Sequence, residues 1–161
     1  MDEAYNFLVN DIGLNDGDCV VVACSGGPDS MALLSLMISV RDKVDINIVV
    51  AHVNHNVRVE SADEALFVRD YCLSHNLIFE YMKIENYSSL NFESEARTFR
   101  YKFFDSLVSK YDSRYLFTAH HGDDLMETIL MRICRGSTLK GYGGFSRISS
   151  RNGYFIVRPL I

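Results

Sequence analysis

Val20-Val21-Val22-Ala23-Cys24-Ser25-Gly26-Gly27-Pro28-Asp29-Ser30-Met31-Ala32-Leu33-Leu34 decides how the rest of this chain is read. Three consecutive valines followed by small residues make a buried β-strand. The paired glycines make a tight turn, and the apolar run from Met31 onward makes a helix. A strand that empties into such a turn directs several backbone N–H groups, and the positive end of a helix dipole, at one point in space. That point suits a phosphate. Gly26 and Gly27 permit close backbone approach and positive φ, while Ser25 and Ser30 add hydroxyl donors. Pro28 lacks an N–H and fits the first helical turn, where that donor would have no partner.

The turn is not a Walker P-loop, which needs G-x-x-x-x-G-K-[ST], because no lysine lies between Ser25 and Val40. Nor is it G-x-G-x-x-G, since its glycines are adjacent. It matches Ser-Gly-Gly-x-Asp-Ser and so resembles the PP-loop ATPases, which typically cleave ATP between the α and β phosphates and pass AMP to a substrate. The plain alternative is a tight βα turn in an ordinary α/β protein.

At 161 residues the chain has the length of one domain with a single core. Hydrophobic residues make up 48% and charged residues 23%, which is a globular composition and excludes a disordered chain. No apolar run approaches the roughly 18 residues that span a bilayer, so no membrane role is expected. Met1-Asp2-Glu3-Ala4 is acidic and unlike the basic start of a signal peptide. Four cysteines, Cys19, Cys24, Cys72 and Cys134, have no C-x-x-C spacing, which suits reduced thiols in a cytoplasmic protein. The formal net charge of −5 is unusual for a protein that holds nucleic acid. Basic residues do gather late in the chain, at Arg132, Arg135, Lys140, Arg147, Arg151 and Arg158, with no acidic residue after Glu127. A solvated basic surface explains them as well as a ligand does.

Strand and helix signals alternate throughout. Ala4, Leu8 and Ile12 form an opening helix that ends near Gly13. Strands are expected over residues 19–24, 46–51, 78–84, 115–119 and 154–157. Helices are expected over 30–41, from the Ser61-Ala62-Asp63-Glu64 capping box to about His75, over 93–111, and over 123–135. The helix at 93–111 is expected to bury Ala96, Phe99, Phe103 and Leu107, and residues 136–145 read as a glycine-rich loop. This order predicts an α/β fold: a doubly wound, mostly parallel sheet with helices on both faces. Such sheets bind ligands at the carboxyl ends of their strands. Polar clusters at 25–30, 52–58 and 120–127 follow three strand ends and should meet in one crevice.

His52-Val53-Asn54-His55-Asn56-Val57-Arg58 reads as a loop after the second strand, suited to contacts with a nucleotide base or to local capping alone. Asp124 and Glu127 are three apart on one helix and should project from one side, as a seat for an ammonium group or Mg²⁺. Asp123 suits the helix dipole. Glu93, Arg97 and Arg100 share a flank of the long helix; Glu93 with Arg97 reads as an exposed pair, and Arg100 can meet charge on a phosphate. A di-metal hydrolase would want further ligands at fixed spacing.

Taken in order, these clusters resemble the tRNA(Ile)-lysidine synthetases. The resemblance runs through Ser25-Gly26-Gly27-Pro28-Asp29-Ser30, His52-Val53-Asn54-His55 with Arg58, and Glu95-Ala96-Arg97 with Arg100-Tyr101. It continues through Ala119-His120-His121-Gly122-Asp123-Asp124 with Glu127-Thr128, Arg135-Gly136-Ser137 with Gly141, and Arg158-Pro159-Leu160. It implies an adenine nucleotide alpha hydrolase-like fold and a ligase that uses ATP and Mg²⁺ to join L-lysine to the wobble cytidine of tRNA(Ile). The cytidine carbonyl oxygen is adenylated, and the lysine amine then displaces AMP. Ser25, Gly26, Gly27, Pro28, Asp29 and Ser30 would cradle the phosphates, with His52, Asn54 and His55 by the adenosine. Asp29, Arg100 and His120 would serve catalysis, Asp29 would hold magnesium, and Asp124, Glu127 and Arg97 would bind substrate. A homodimer is compatible with this reading. The family's enzymes continue beyond Arg-Pro-Leu into sequence that helps hold tRNA, so residues 1–161 are expected to be one truncated catalytic domain without that region. Rival readings are a tRNA-thiolating relative, which would want a catalytic cysteine pair, and an ATP-binding module with no chemistry.

Overall fold

The apolar runs pair into one six-stranded sheet in the computed structural model, which describes residues 2–56, 61–87, 92–134 and 146–161. A short helix α1 (Asp2–Asn6) continues into a π-helical turn (Phe7–Asp11). Then follow β1 (Cys19–Ala23), α2 (Pro28–Arg41), β2 (Asn47–Asn54), α3 (Ser61–Ser74) and β3 (Ile78–Lys83). The second half holds α4 (Phe92–Lys110), β4 (Tyr115–Phe117), α5 (Gly122–Cys134), β5 (Ile148–Arg151) and β6 (Tyr154–Val157). The strand order is β3-β2-β1-β4-β6-β5, and only the β5–β6 pair is antiparallel. Successive strands step one way from β1 to β3 and the other way from β1 to β4. The β1/β4 junction is therefore the switch point, where such sheets open a crevice at their carboxyl ends.

Alternation along the strands divides the core in two. Val20, Val22, Ile48 and Val50 face α2 and α3, packing with Leu33, Leu34, Met37 and Val68. Val21, Val49, Ala51 and Leu116 face α4, packing with Tyr101, Phe104, Leu107 and Val108. Both faces of the central strands are dry, which is why β1 reads as an unbroken valine run. No described helix is long and apolar enough to cross a membrane.

Three expectations change. β2 continues through Asn54 instead of ending at Ala51, so His52 and Asn54 are buried strand residues and not loop residues. Its register with β3, from Val49 opposite Ile78 to Asn54 opposite Lys83, carries the pairing past the apolar run. On α4 the buried residues are Ala96, Tyr101, Phe104, Leu107 and Val108, while Phe99 and Phe103 are only partly covered. Arg100 lies four residues from both Ala96 and Phe104 and so belongs to the inward side. Finally, β5 was not expected. It joins β6 through Asn152-Gly153, both at positive φ (43° and 88°), the pair that tight hairpins favour. The expected loop at 136–145, and Arg58, Arg135, Ser137 and Gly141, lie outside the described residues.

Asp105 ties this hairpin to α4. Its carboxylate accepts from Arg151 Nε and Nη2 at 3.0 Å each, from Asn152 Nδ2 at 3.3 Å and from the Tyr154 hydroxyl at 2.6 Å. The Arg151 guanidinium leads in holding the Asp105 carboxyl below its ordinary range. A depressed carboxyl contributes stability that is present above the unfolded-state value and lost as pH falls through the folded-state value. Asp105→Ala should lower unfolding stability by about 1–2 kcal/mol at pH 7, allowing for its partial exposure. Urea melts at pH 7 and near pH 3 check this: the difference between variant and wild type should shrink in acid.

Candidate active site

The chain leaves β1 at Ala23 and turns at once, so the backbone of 24–27 lies across the switch point. Gly26 has φ of 90°, a conformation that L side chains rarely adopt, and a Cβ there would stand 3.3 Å from Val68 Cγ2. Gly27 is extended (φ −74°, ψ 164°) and caps α2, with Pro28 in the first helical turn. The Ser30 hydroxyl donates to Gly27 O at 2.9 Å and lies 3.2 Å from Ser25 Oγ. Both serines thus brace the turn as well as facing it. Asp29 stands exposed in the first turn of α2.

A crevice of about 260 Å³ opens above this turn. Ser25, Gly27, Asp29 and Ser30 line it from the β1–α2 side, Val53 of β2 and His55 just after it from a second side, Arg100, Tyr101 and Phe104 from α4, and Thr118, His120 and Asp124 from the β4–α5 side. An adjoining groove shares Ser25, Gly27, Val53, His55 and Arg100 and adds His52, Asn54, Glu64, Phe92 and Arg97. Gly26 and Pro28 shape the turn from behind. Thus the three clusters expected to converge do meet.

The β2 residues are held from below. His52 Nδ1 lies 2.9 Å from Cys24 O, and since a carbonyl only accepts, Nδ1 carries the proton. Its ring stacks with Phe79 and Tyr81, and burial pushes its pKa down, which favours the uncharged ring. Asn54 donates to the Tyr81 hydroxyl at 3.2 Å and accepts from the Asn56 N–H at 2.7 Å. His55 Nδ1 meets the Tyr87 hydroxyl at 2.7 Å, and burial followed by the Arg100 charge lowers its pKa. His52 and Asn54 therefore fix the strand end beside the phosphate turn.

On the opposite wall His120 Nδ1 stands 2.9 Å from Thr118 Oγ1. Arg97 lies over the Tyr101 ring at 5.0 Å from its centroid, and Arg151 lies over the same ring at 4.5 Å. Arg100 is half-buried, and its partial burial lowers the guanidinium pKa.

Asp124 and Glu127 part company. Asp124 Oδ2 accepts from the His121 backbone N–H at 2.9 Å, reaching back over the start of α5, and the residue lines the crevice. Glu127 lines a different, apolar surface with Met126, Leu130 and Met131. A three-residue step turns about 300° around a helix, which leaves the two about 60° apart, enough to divide them here. His121 was not singled out from the sequence. Its Nε2 lies 3.6 Å from both Asp29 Oδ2 and Asp124 Oδ2, linking the starts of α2 and α5. Only its place in a histidine pair before a helix hinted at this. Cys24, Thr118 and Phe104 also line the crevice without having carried a sequence signal.

The PP-loop domain family matches residues 2–161. The tRNA(Ile)-lysidine synthase of Geobacillus kaustophilus is 38% identical, covering 100% of this chain and 36% of the relative. That of Bacillus cereus (strain ZK / E33L) is 43% identical over 92% of this chain and 32% of the relative. The chain thus spans about a third of the length of these curated relatives. Among solved structures, the U34-tRNA thiolase NcsA from Methanococcus maripaludis with its [4Fe-4S] cluster superposes with a TM-score of 0.80 at 16% identity. It covers 98% of this chain and 56% of that one. Candida glabrata FMN adenylyltransferase, in complex with FMN and the ATP analogue AMPCPP, gives 0.65 at 11% identity, over 99% of this chain and 51% of that one. At those identities the likeness is one of fold. With a match over nearly its whole length, and the Ser-Gly-Gly-x-Asp-Ser turn set at the switch point of its sheet, the chain belongs to the PP-loop domain family.

Proposed function

We propose that this chain is the ATP-binding, catalytic part of a tRNA(Ile)-lysidine synthetase. One observation carries the reading: a phosphate-type turn and a second, carboxylate-bearing helix start share one crevice, in a chain 38–43% identical to enzymes of that name. The turn at 25–30 binds the phosphates of ATP. Val53 and His55 wall the adenosine side, with His52 and Asn54 supporting them from β2. Arg100, with Arg97 behind it, meets negative charge as pyrophosphate leaves the α-phosphorus. His120 stands beside the cytidine carbonyl oxygen that attacks that phosphorus. Asp124 receives the lysine ammonium; after it gives up a proton to water, the amine lone pair attacks the base carbon and the carbon–oxygen bond breaks to expel AMP.

Asp29 fits magnesium by its chemistry: an exposed, hard carboxylate oxygen donor beside the phosphate turn. Among the described residues no group of three candidate ligands surrounds it. A cation there would be held by this carboxylate and the nucleotide's own phosphates. Bound there, magnesium would neutralise phosphate charge. The four free cysteines support a reducing, cytoplasmic setting.

The test is product analysis in the protein at the full length of its relatives. With labelled ATP, pyrophosphate release should require tRNA(Ile), AMP release and repeated turnover should require lysine as well, and lysidine should be found in the digested tRNA. Sulfur incorporation would move the protein to the thiolating relatives. ATP binding without turnover would leave a nucleotide-binding module.

A further inference from the structure

We infer that Tyr101 is a positioning residue for the anion-binding wall of the site: its ring holds the guanidinium of Arg97 in the groove beside the phosphate turn, and the β5–β6 hairpin in turn holds the ring. The inference rests on the crevice and its adjoining groove being the ATP site. Arg97, Tyr101 and Asp105 stand four residues apart on α4 and so follow one flank of the helix. Arg97 lies over the Tyr101 ring, 5.0 Å from its centroid. It is an exposed residue, and it lines the groove together with Ser25 and Gly27 of the phosphate turn. Tyr101 is only 8% exposed and lines the crevice. Its ring sets edge-to-face against Phe104, with centroids 5.9 Å apart. The ring is thus a fixed surface on which a long, exposed side chain is laid.

The support behind the ring comes from a distant part of the sequence. Arg151 of β5 lies over the same ring, 4.5 Å from its centroid. Its Nε and Nη2 each reach the Asp105 carboxylate at 3.0 Å, a two-point pair that fixes the guanidinium. Tyr101 therefore engages two cations, one anchored by a carboxylate and the other lining the groove. Arg97 needs such a hold. Of the causes that lower the Arg100 pKa, burial leads and the like charge of Arg97 follows, while Tyr101 acts in the opposite direction. The two guanidiniums thus repel one another, and an exposed arginine under that repulsion turns to solvent unless something retains it. The negative face of an aromatic ring retains it without the neutralising charge of a carboxylate, so the full cation stays available to a phosphate. A guanidinium ordered before the nucleotide arrives also lowers the ordering cost of binding.

The experiment is a double-mutant cycle read by calorimetry of ATP binding, with magnesium present, in the protein at the full length of its relatives. Arg97→Gln should weaken ATP binding about tenfold or more, through loss of one charge-assisted contact. Tyr101→Leu removes the ring face, keeps an apolar side chain and should weaken binding about threefold or more. In the Arg97→Gln background the same Tyr101→Leu change should cost less than half as much on a logarithmic scale, because Tyr101 acts through Arg97. A larger cost there means that Tyr101 only packs the wall or touches the nucleotide itself, and it overturns the inference. Wild-type affinity in either single variant overturns it as well. Should Tyr101→Leu fail to fold, Arg97→Lys decides, since lysine keeps the charge but not the planar group that stacks. It should recover less than half of the affinity lost in Arg97→Gln, again on a logarithmic scale; fuller recovery means that charge alone suffices and refutes the inference. If the wild type binds no ATP, the proposed function fails, and a crystal structure of nucleotide-free Tyr101→Leu judges Tyr101 separately. Arg97 displaced from the groove supports its positioning role, and Arg97 unmoved refutes it.

Discussion

Gly27→Val should weaken ATP·Mg²⁺ binding by at least about 100-fold while the melting temperature stays near that of the wild type. Gly27 is extended, with φ of −74°, so a branched residue fits the backbone there. A Cβ added to it would meet only Ser25 Oγ, at 3.5 Å, which is ordinary contact. The fold therefore accepts the side chain, but the isopropyl group projects where a phosphate must approach the turn. Loss of two charge-assisted backbone hydrogen bonds, at about 1.5–3 kcal/mol each, corresponds to roughly 100-fold or more in affinity. Gly26→Val is a different experiment. Its backbone sits at φ of 90° and its Cβ would crowd Val68 on α3, so that variant should lose stability along with binding. Calorimetry on folded Gly27→Val decides the matter. An unchanged affinity would remove the phosphates from this turn.

The contrast between the two glycines shows what kinds of feature the sequence made legible. The phosphate turn could be read because its determinants are local: adjacent glycines, flanking hydroxyls and a proline, all within six residues between a strand and a helix. The sheet order followed from alternation of apolar strands and helices. The end of β2 could not be read that way, because polarity normally signals a loop. His52 and Asn54 are buried by partners distant in sequence, among them Phe79 and Tyr81 of β3, some 27 residues later, whose rings stack on His52 and whose Tyr81 hydroxyl meets Asn54. On α4, side-chain size misled: Phe99 and Phe103 are the larger apolar residues, yet the inward side runs through Ala96, Arg100 and Phe104. That side carries a half-buried arginine to the crevice, which apolar periodicity alone would not select. β5 was missed because Ile148-Ser149-Ser150-Arg151 has a single apolar residue, although Asn152-Gly153 after it was a usable hairpin signal. The separation of Asp124 from Glu127 is the most consequential case, since equal spacing on a helix did not mean an equal place in the site.

Asp124→Asn should raise the apparent Michaelis constant for lysine roughly 10–150-fold, and Glu127→Gln should change it less than about threefold. An ammonium group offers three donors, and a carboxylate that accepts from it in a crevice contributes about 1.5–3 kcal/mol, which sets the range for the first variant. Asparagine keeps an oxygen that can accept the His121 N–H, so the start of α5 survives while the charge is lost. Glutamine at 127 removes a charge from a side chain that lines the apolar outer surface of α5 and not the crevice. Calorimetric affinity for ATP should remain within about threefold in both variants, because neither carboxylate belongs to the phosphate turn. Steady-state kinetics in the full-length protein, with lysine varied at saturating ATP and tRNA, makes the measurement. A large effect of Glu127→Gln would mean that α5 turns its outer face inward when the substrates assemble. A collapse of ATP affinity in Asp124→Asn, with lysine dependence unmoved, would instead assign Asp124 to the nucleotide's cation and place the lysine site elsewhere.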